Sequence, residues 1–335
     1  MNINEIIRQS TEIDGISLKK NSNSIELHFE QENGKGSMTF FNLFPGISLA
    51  YIFINSPTWP IPNFSQESSS SIPLSINYCI SGRCELFLDN DTFVYLANGD
   101  FSIIKRPAQK QYTYPLRIYE GIELFIDIDI ISKEAPFINE TFHLDFHRLL
   151  DLYCPANKTY ISHCTENTKQ IFSKLWALYD EEPSKSIFSM QLYVLKLLDI
   201  LLNKKHIPTT KSSTFFTSTQ VEIAQKTEHI ITSDLKHHYP AWKLAKLFSI
   251  SETSLKNYFR GVYGQNISVY LREIRMNAAA NMLSNTKMPI SKISEQVGYS
   301  NQSKFASVFK LQYKMSPLEY RRKKVLEQIQ GNNHY

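Results

Sequence analysis

Two stretches of this chain, displaced by fifty residues, carry one pattern. The first, AWKLAKLFSISETSLKNYF over 241–259, places Leu244, Ala245 and Phe248 on one helical face. It breaks at Ser249–Ser251 and resumes with Leu255 and Phe259 one turn apart. Ser251 suits the cap of the second helix, because its hydroxyl can accept from an otherwise unpaired amide of the first turn. The second stretch, ISKISEQVGYSNQSKFASVF over 290–309, has Ile293 and Val297 on the first face and Gly298 where a left-handed turn residue is needed. Asn301 or Ser300 then serves as cap, and Phe305 and Phe309 as anchors. Leu255 and Phe305, Phe259 and Phe309, and Tyr263 and Tyr313 share the same offset. One such pattern fits any helical hairpin, whereas an internal repeat seldom arises by chance. Between the copies, ISVYLREIRMNAAANMLS (267–284) has the length and the alanine-rich face (Ala278, Ala279, Ala280) of a rigid connecting helix. The last third of the chain is therefore expected to be all-helical, with two helical pairs at about 241–263 and 290–313 held apart by a rod.

Charge follows the same division. Residues 1–215 carry 19 Lys and Arg against 24 Asp and Glu, and residues 216–326 carry 17 against 7. The basic part is either a binder of a polyanion such as nucleic acid or a lysine-rich solvated surface. The 335 residues suffice for two domains, and 42% hydrophobic with 20% charged residues excludes a disordered chain. No apolar run is long enough to span a membrane. The start, MNINEIIRQSTEID, lacks the apolar core of a secretory signal, so a cytoplasmic location is expected, with Cys79, Cys84, Cys154 and Cys164 as reduced thiols.

The first part reads as β-rich. Strands are expected at 24–30, 36–41 and 47–55, then at 74–80, 83–88, 92–96, 101–105, 110–114 and 118–128, separated by Gly, Asn, Asp and Pro in the rhythm of an antiparallel sandwich or barrel. Helices follow Pro136, at 144–153, 165–181 and 185–204. The last has one apolar stripe through Met190, Val194 and Leu201 and another through Phe188, Leu192, Leu195 and Leu202, so it is buried on two sides, either within the domain or against a second copy of the chain. The expected fold class is α+β: an antiparallel β-rich, cupin-like domain with trailing helices (1–205), a Ser/Thr-rich linker (206–220) and a helical domain (221–324). A metal enzyme in such a barrel needs two or three histidines and a carboxylate inside it. No histidine lies between His28 and His143, so no metal, cofactor or catalysis is expected. Cys79 and Cys84, on neighbouring strands or across a tight turn, are a redox or metal pair or small core residues; His143 and His147 are a zinc pair or surface histidines.

Three stretches, LREIRMNAAANML (271–283), ISKISEQVGYSNQSKFASVFK (290–310) and MSPLEYRR (315–322), resemble the DNA-binding domain of the AraC/XylS family of transcription regulators. The wording VGYSNQSKF is most similar to the branch that includes regulators of siderophore uptake. The resemblance implies two helix-turn-helix units joined by one long helix, each inserting its second helix into the major groove. It assigns base contacts to Thr253, Lys256 and Asn257 in the first unit and to Gln302, Ser303, Lys304 and Ser307 in the second, with Arg260 and Lys310 on phosphates. Arg272 and Arg275 either support the core or reach DNA. The implied function is a sequence-specific regulator, an activator gated by a small-molecule effector such as a siderophore, or else one whose first domain only dimerises or binds a protein. The expected partners are double-stranded promoter DNA, RNA polymerase, the effector and a second copy of the chain, with no membrane. Two positions depart from the family pattern. Lys314 stands where Gly is usual, which the first repeat keeps as Gly264, and Ser294 stands where Ala is usual.

Overall fold

The computed structural model describes residues 15–59, 72–88, 91–105, 112–180, 186–203 and 215–332. It divides into two compact units, Met1–Phe215 and Phe216–Tyr335. The first is built on strands β1 (Ile16–Lys20), β2 (Ile25–Gln31), β3 (Gly34–Phe44), β4 (Ile47–Asn55), β5 (Thr58–Trp59), β6 (Leu74–Leu88), β7 (Thr92–Ala97), β8 (Asp100–Ile104), β9 (Tyr112–Thr113), β10 (Ile118–Ile126) and β11 (Tyr160–His163). Its helices are α1 (Ile128–Glu134), α2 (Phe137–Phe142), α3 (Phe146–Tyr153), α4 (Glu166–Asp180) and α5 (Ile187–Leu202).

The sheet runs β1-β2-β3-β4-β10-β6, every pair antiparallel. β6 then serves two partners: residues 75–78 pair with β8 and residues 83–88 with β7. The sequence suggested two strands divided by Ser81-Gly82. The chain instead runs through as one strand with a bulge there, since Gly121 pairs with Cys79 while Glu120 pairs with Ser81. Gly82 has φ +80°, and a Cβ on it would lie 1.8 Å from the Ile118 carbonyl oxygen, so only glycine fits. Cys79 and Cys84 therefore lie on one strand. Both are buried, and burial pushes the Cys79 thiol up to about 12, which makes them inert core residues.

The strands carry apolar residues on both faces because both are covered. One face packs on α4 and α5: Tyr78 stacks on Phe172 at 4.1 Å, Phe53 meets Trp176 at 5.1 Å, and the Tyr51 hydroxyl donates to the Leu175 carbonyl at 2.6 Å. The other face encloses Phe29 against Trp59, Phe40 against Phe125, and Tyr114 against Tyr119. Sequence periodicity does not reveal β1, β11, α1 and α2, which are too short for a repeating pattern; helices begin at Ile128, ahead of Pro136. The stripe of α5 through Met190, Val194 and Leu201 is buried, but Phe188 and Leu192 of the second stripe are 69% and 51% exposed, and only Leu202 of that stripe is fully covered. Arg83 lies half-buried over the Tyr95 ring, and Arg117 donates to the Asn33 carbonyl. Lys105 is half-buried, and Arg106 lies outside the described residues.

The interior face also holds a polar group. Glu123 sits in mid-strand on β10, opposite Ala50 and Asn77, and accepts from the Ser75 hydroxyl. Beside it the Tyr119 hydroxyl donates to Asn77 Oδ1 at 2.6 Å. Burial pushes the Glu123 carboxyl up to about 7 from 4.5, against the opposing pull of Ser75. Its proton is thus held more tightly in the folded chain than in the unfolded one. The associated stability is complete below the unfolded value and is lost as pH rises through about 7, by at most about 3 kcal/mol. Glu123→Gln removes that loss. In thermal melts the variant is expected to exceed wild type by several degrees at pH 8 and to converge with it at pH 5; equal melting temperatures at both pH values would refute the assignment.

In the second unit α6 (Ser218–Ser233), α7 (Ala241–Leu247), α8 (Glu252–Tyr263), α9 (Ile267–Asn285), α10 (Ile290–Gln296), α11 (Gln302–Tyr313) and α12 (Pro317–Asn332) follow in turn. The linker expected over 206–220 ends earlier than its composition suggested. The Thr217 hydroxyl accepts from the Gln220 amide at 3.4 Å, and the Gln220 side chain accepts from the Thr217 amide at 3.1 Å, a capping box that starts α6 at Ser218. Residues 204–214 lie outside the described residues. The final helix, which takes up most of the 315–322 stretch, runs from Pro317 to Asn332 and is started by a reciprocal pair between Ser316 and Glu319.

Candidate nucleic-acid interface

Each helix-turn-helix unit is assembled by the residues that define the repeat. Ser251 caps α8 by accepting from the Ser254 amide at 3.0 Å, and Asn301, rather than Ser300, caps α11 by accepting from the Lys304 amide at 3.0 Å. Leu255, Phe259, Phe305 and Phe309 are fully buried. Phe259, Tyr263 and Tyr270 form a ring cluster with centroid separations of 4.6, 5.4 and 5.0 Å. In the second unit Phe309, Tyr313 and Tyr320 repeat it at 4.6, 5.4 and 5.1 Å. Tyr270 and Tyr320 are a further pair at the fifty-residue offset, missed in the sequence because they stand on the helix after each unit. The duplication thus extends to the packing of the rings.

Both departures from the family pattern are absorbed. Ser294 is buried, and its hydroxyl donates to the Tyr299 carbonyl at 3.1 Å. Lys314 takes φ 60° and its amide donates to the Lys310 carbonyl at 2.8 Å, the same closure that Gly264 makes at φ 76° onto Arg260. A side chain there is held against its preference by about 1 kcal/mol. Lys314→Gly is expected to stabilise the chain by about that amount in chemical denaturation, and no gain would contradict the strain.

The connecting helix α9 buries Met276, Ala279, Ala280 and Leu283, and Phe305 and Phe309 join the same core. Arg275 is structural: it donates to the His237 carbonyl at 2.9 Å and lies under Gly298, where a Cβ would come within 2.7 Å of the guanidinium. Arg272 is exposed, and Glu273 is engaged by Gln265 at 2.9 Å. Arg321 donates to the Leu283 and Met288 carbonyls and closes the end of α9.

The outward positions of the two second helices are Thr253, Lys256, Asn257 and Arg260 on α8, and Gln302, Ser303, Lys304, Ser307 and Lys310 on α11, all exposed. Lys256 is paired with Glu252 at 2.5 Å, an exposed i, i+4 pair that is readily exchanged for another anion. The Ser307 hydroxyl donates back to the Ser303 carbonyl at 3.0 Å. Lys256 and Lys304 line one and the same concavity, about 850 Å³ in volume. Among the described residues no group of His, Cys, Asp and Glu could hold a metal ion, and no helix is long and apolar enough to cross a membrane.

Residues 244–323 match the family model of a helix-turn-helix domain. The Msm operon regulatory protein of Streptococcus mutans is 25% identical over 261 residues, covering 77% of this chain and 85% of that protein. The HTH-type transcriptional activator RhaR of Yersinia pseudotuberculosis is 25% identical over 200 residues, covering 58% of this chain and 68% of that protein. Among solved structures, the C-terminal domain of AraT, a response regulator from Geobacillus stearothermophilus, matches at 29% identity, with 30% of this chain and 84% of that chain covered and a TM-score of 0.29. The second unit thus contains a helix-turn-helix domain, and the relatives named above are regulators of transcription.

Proposed function

We propose that this chain is a sequence-specific DNA-binding transcription regulator, an activator that acts in the cytoplasm and engages RNA polymerase at its promoters. The observation that carries the reading is the placement of Lys256 and Lys304, from two separate reading helices, on one concavity. Thr253, Lys256 and Asn257 then face bases of one major-groove segment, and Gln302, Ser303, Lys304 and Ser307 face those of the next; Arg260 and Lys310 bind phosphates. The side-chain chemistry suits base reading, since Asn and Gln can bind adenine bidentately, Lys reaches guanine, and a Thr methyl meets thymine. Selection from a random 40-bp duplex pool with the full chain tests this. An enriched motif of two half-sites about one helical turn apart is expected; recovery of random sequence would overturn it.

The first unit is a cupin-like sensor in this reading, with a small molecule as its effector. Support comes from the Glu123, Ser75, Asn77 and Tyr119 cluster set among aromatic and aliphatic side chains of the interior face. Siderophores are the first class to screen, on the wording of 297–305. A second reading, in which the unit only dimerises, is favoured by exposed Phe188 and Leu192 on α5. Ligand-dependent thermal stabilisation separates the two.

A further inference from the structure

The concavity between the reading helices has a property that base reading does not require. Four basic residues line it: Lys256 from α8, Arg272 and Arg275 from α9, and Lys304 from α11, joined by His238. Among the described residues lining it, none is acidic. Lys256 has Glu252, which lies outside the lining, as its partner, but like charges gathered in a partly enclosed space repel one another unless a further anion joins them. On the same wall Arg275 is half-buried. One of its nitrogens reaches the His237 carbonyl, while its Nε is buried and finds no acceptor among the described residues. Arg272, one turn earlier on the same helix, is exposed, and its acidic neighbour Glu273 is already taken by Gln265.

Double-stranded DNA supplies an anion of the right shape. When two helices occupy successive major-groove segments on one face, the minor groove between them and its bordering phosphates turn toward the middle of the protein. We propose that the concavity seats a backbone phosphate of that central segment, with Arg272 as the positioning residue that holds it. This rests on the reading of the chain as a two-segment DNA binder and adds a contact that neither reading helix supplies. It also gives the connecting helix a second role, because the rod that sets the separation of the two units then meets the DNA itself. A phosphate held there fixes register and carries no sequence information, so its loss acts equally on all sequences.

The test uses the full chain and a duplex selected by it from a random pool. Arg272→Ala is expected to lower affinity about tenfold at moderate salt, equally for the selected site and for variants with single base changes, and to reduce the slope of log affinity against log salt by about 1. Arg272→Lys should recover part of the loss, and the thermal midpoint should not move, since the side chain is exposed. In ethylation interference, phosphates midway between the two half-sites should block wild-type binding and cease to matter for Arg272→Ala. Unchanged affinity and slope, interference restricted to the flanks of the half-sites, or altered base preference would each overturn the central seat while leaving the regulator reading intact. A wild-type chain that enriches no site would overturn that reading, and the seat with it.

Discussion

Replacing Lys256 and Lys304 together with alanine is expected to weaken binding of a selected duplex by two to three orders of magnitude. Each lysine is exposed on its own helix, and each lost groove contact is worth about 1–3 kcal/mol of discrimination. The two stand on separate helices with separate buried anchors, so the single effects should nearly multiply. Each single variant should relax base preference in one half-site and leave the other unchanged. Equilibrium titration with base-substituted duplexes reads both effects. A double variant within threefold of wild type, or one that loses affinity without losing preference, would contradict the assignment of these positions as readers.

Gly298→Ala should destabilise the second unit strongly. Gly298 sits at φ +80°, and an added Cβ would lie 2.5 Å from the Leu235 carbonyl oxygen and 2.7 Å from the Arg275 guanidinium. The left-handed backbone costs a residue with a side chain about 1–2 kcal/mol, and overpacking adds about 1–3. Together they destabilise the unit by about 2–5 kcal/mol, visible as an earlier denaturation midpoint. The strain falls on the turn that aims α11, so discrimination at the second half-site should fall with it. A variant as stable as wild type would show that the turn can relax and that Arg275 does not brace it.

The repeat is legible in the sequence because its parts are local. A cap, a turn and two anchors at i, i+4 depend on residues close in the chain, and their recurrence at fifty residues picks out Leu255, Phe259, Phe305 and Phe309 as the buried anchors they are. The choice between Asn301 and Ser300 is not legible, since both residues can cap and only geometry decides. Arg275 and Arg321 are indistinguishable from surface cations in sequence, because the carbonyls they serve, at His237, Leu283 and Met288, lie more than thirty residues away. The first unit is harder to read for a physical reason. Turn residues at Ser81-Gly82 signal a hairpin and a bulge alike, and the partner strand β10 settles which. Glu123 gives no signal, because an acid among alternating residues reads as solvent-facing when only one face of a strand is assumed to be buried. Here β10 is covered on both faces, and the carboxyl points into the interior set.

Methylation interference on a selected duplex bound by the full chain examines the two-helix account most directly, since it maps guanine N7 contacts in the major groove. The account predicts two clusters of interfering positions about 10–10.5 bp apart on one face of the helix, with Lys256→Ala erasing one cluster and Lys304→Ala the other. A single cluster, or two clusters on opposite faces of the duplex, would contradict it.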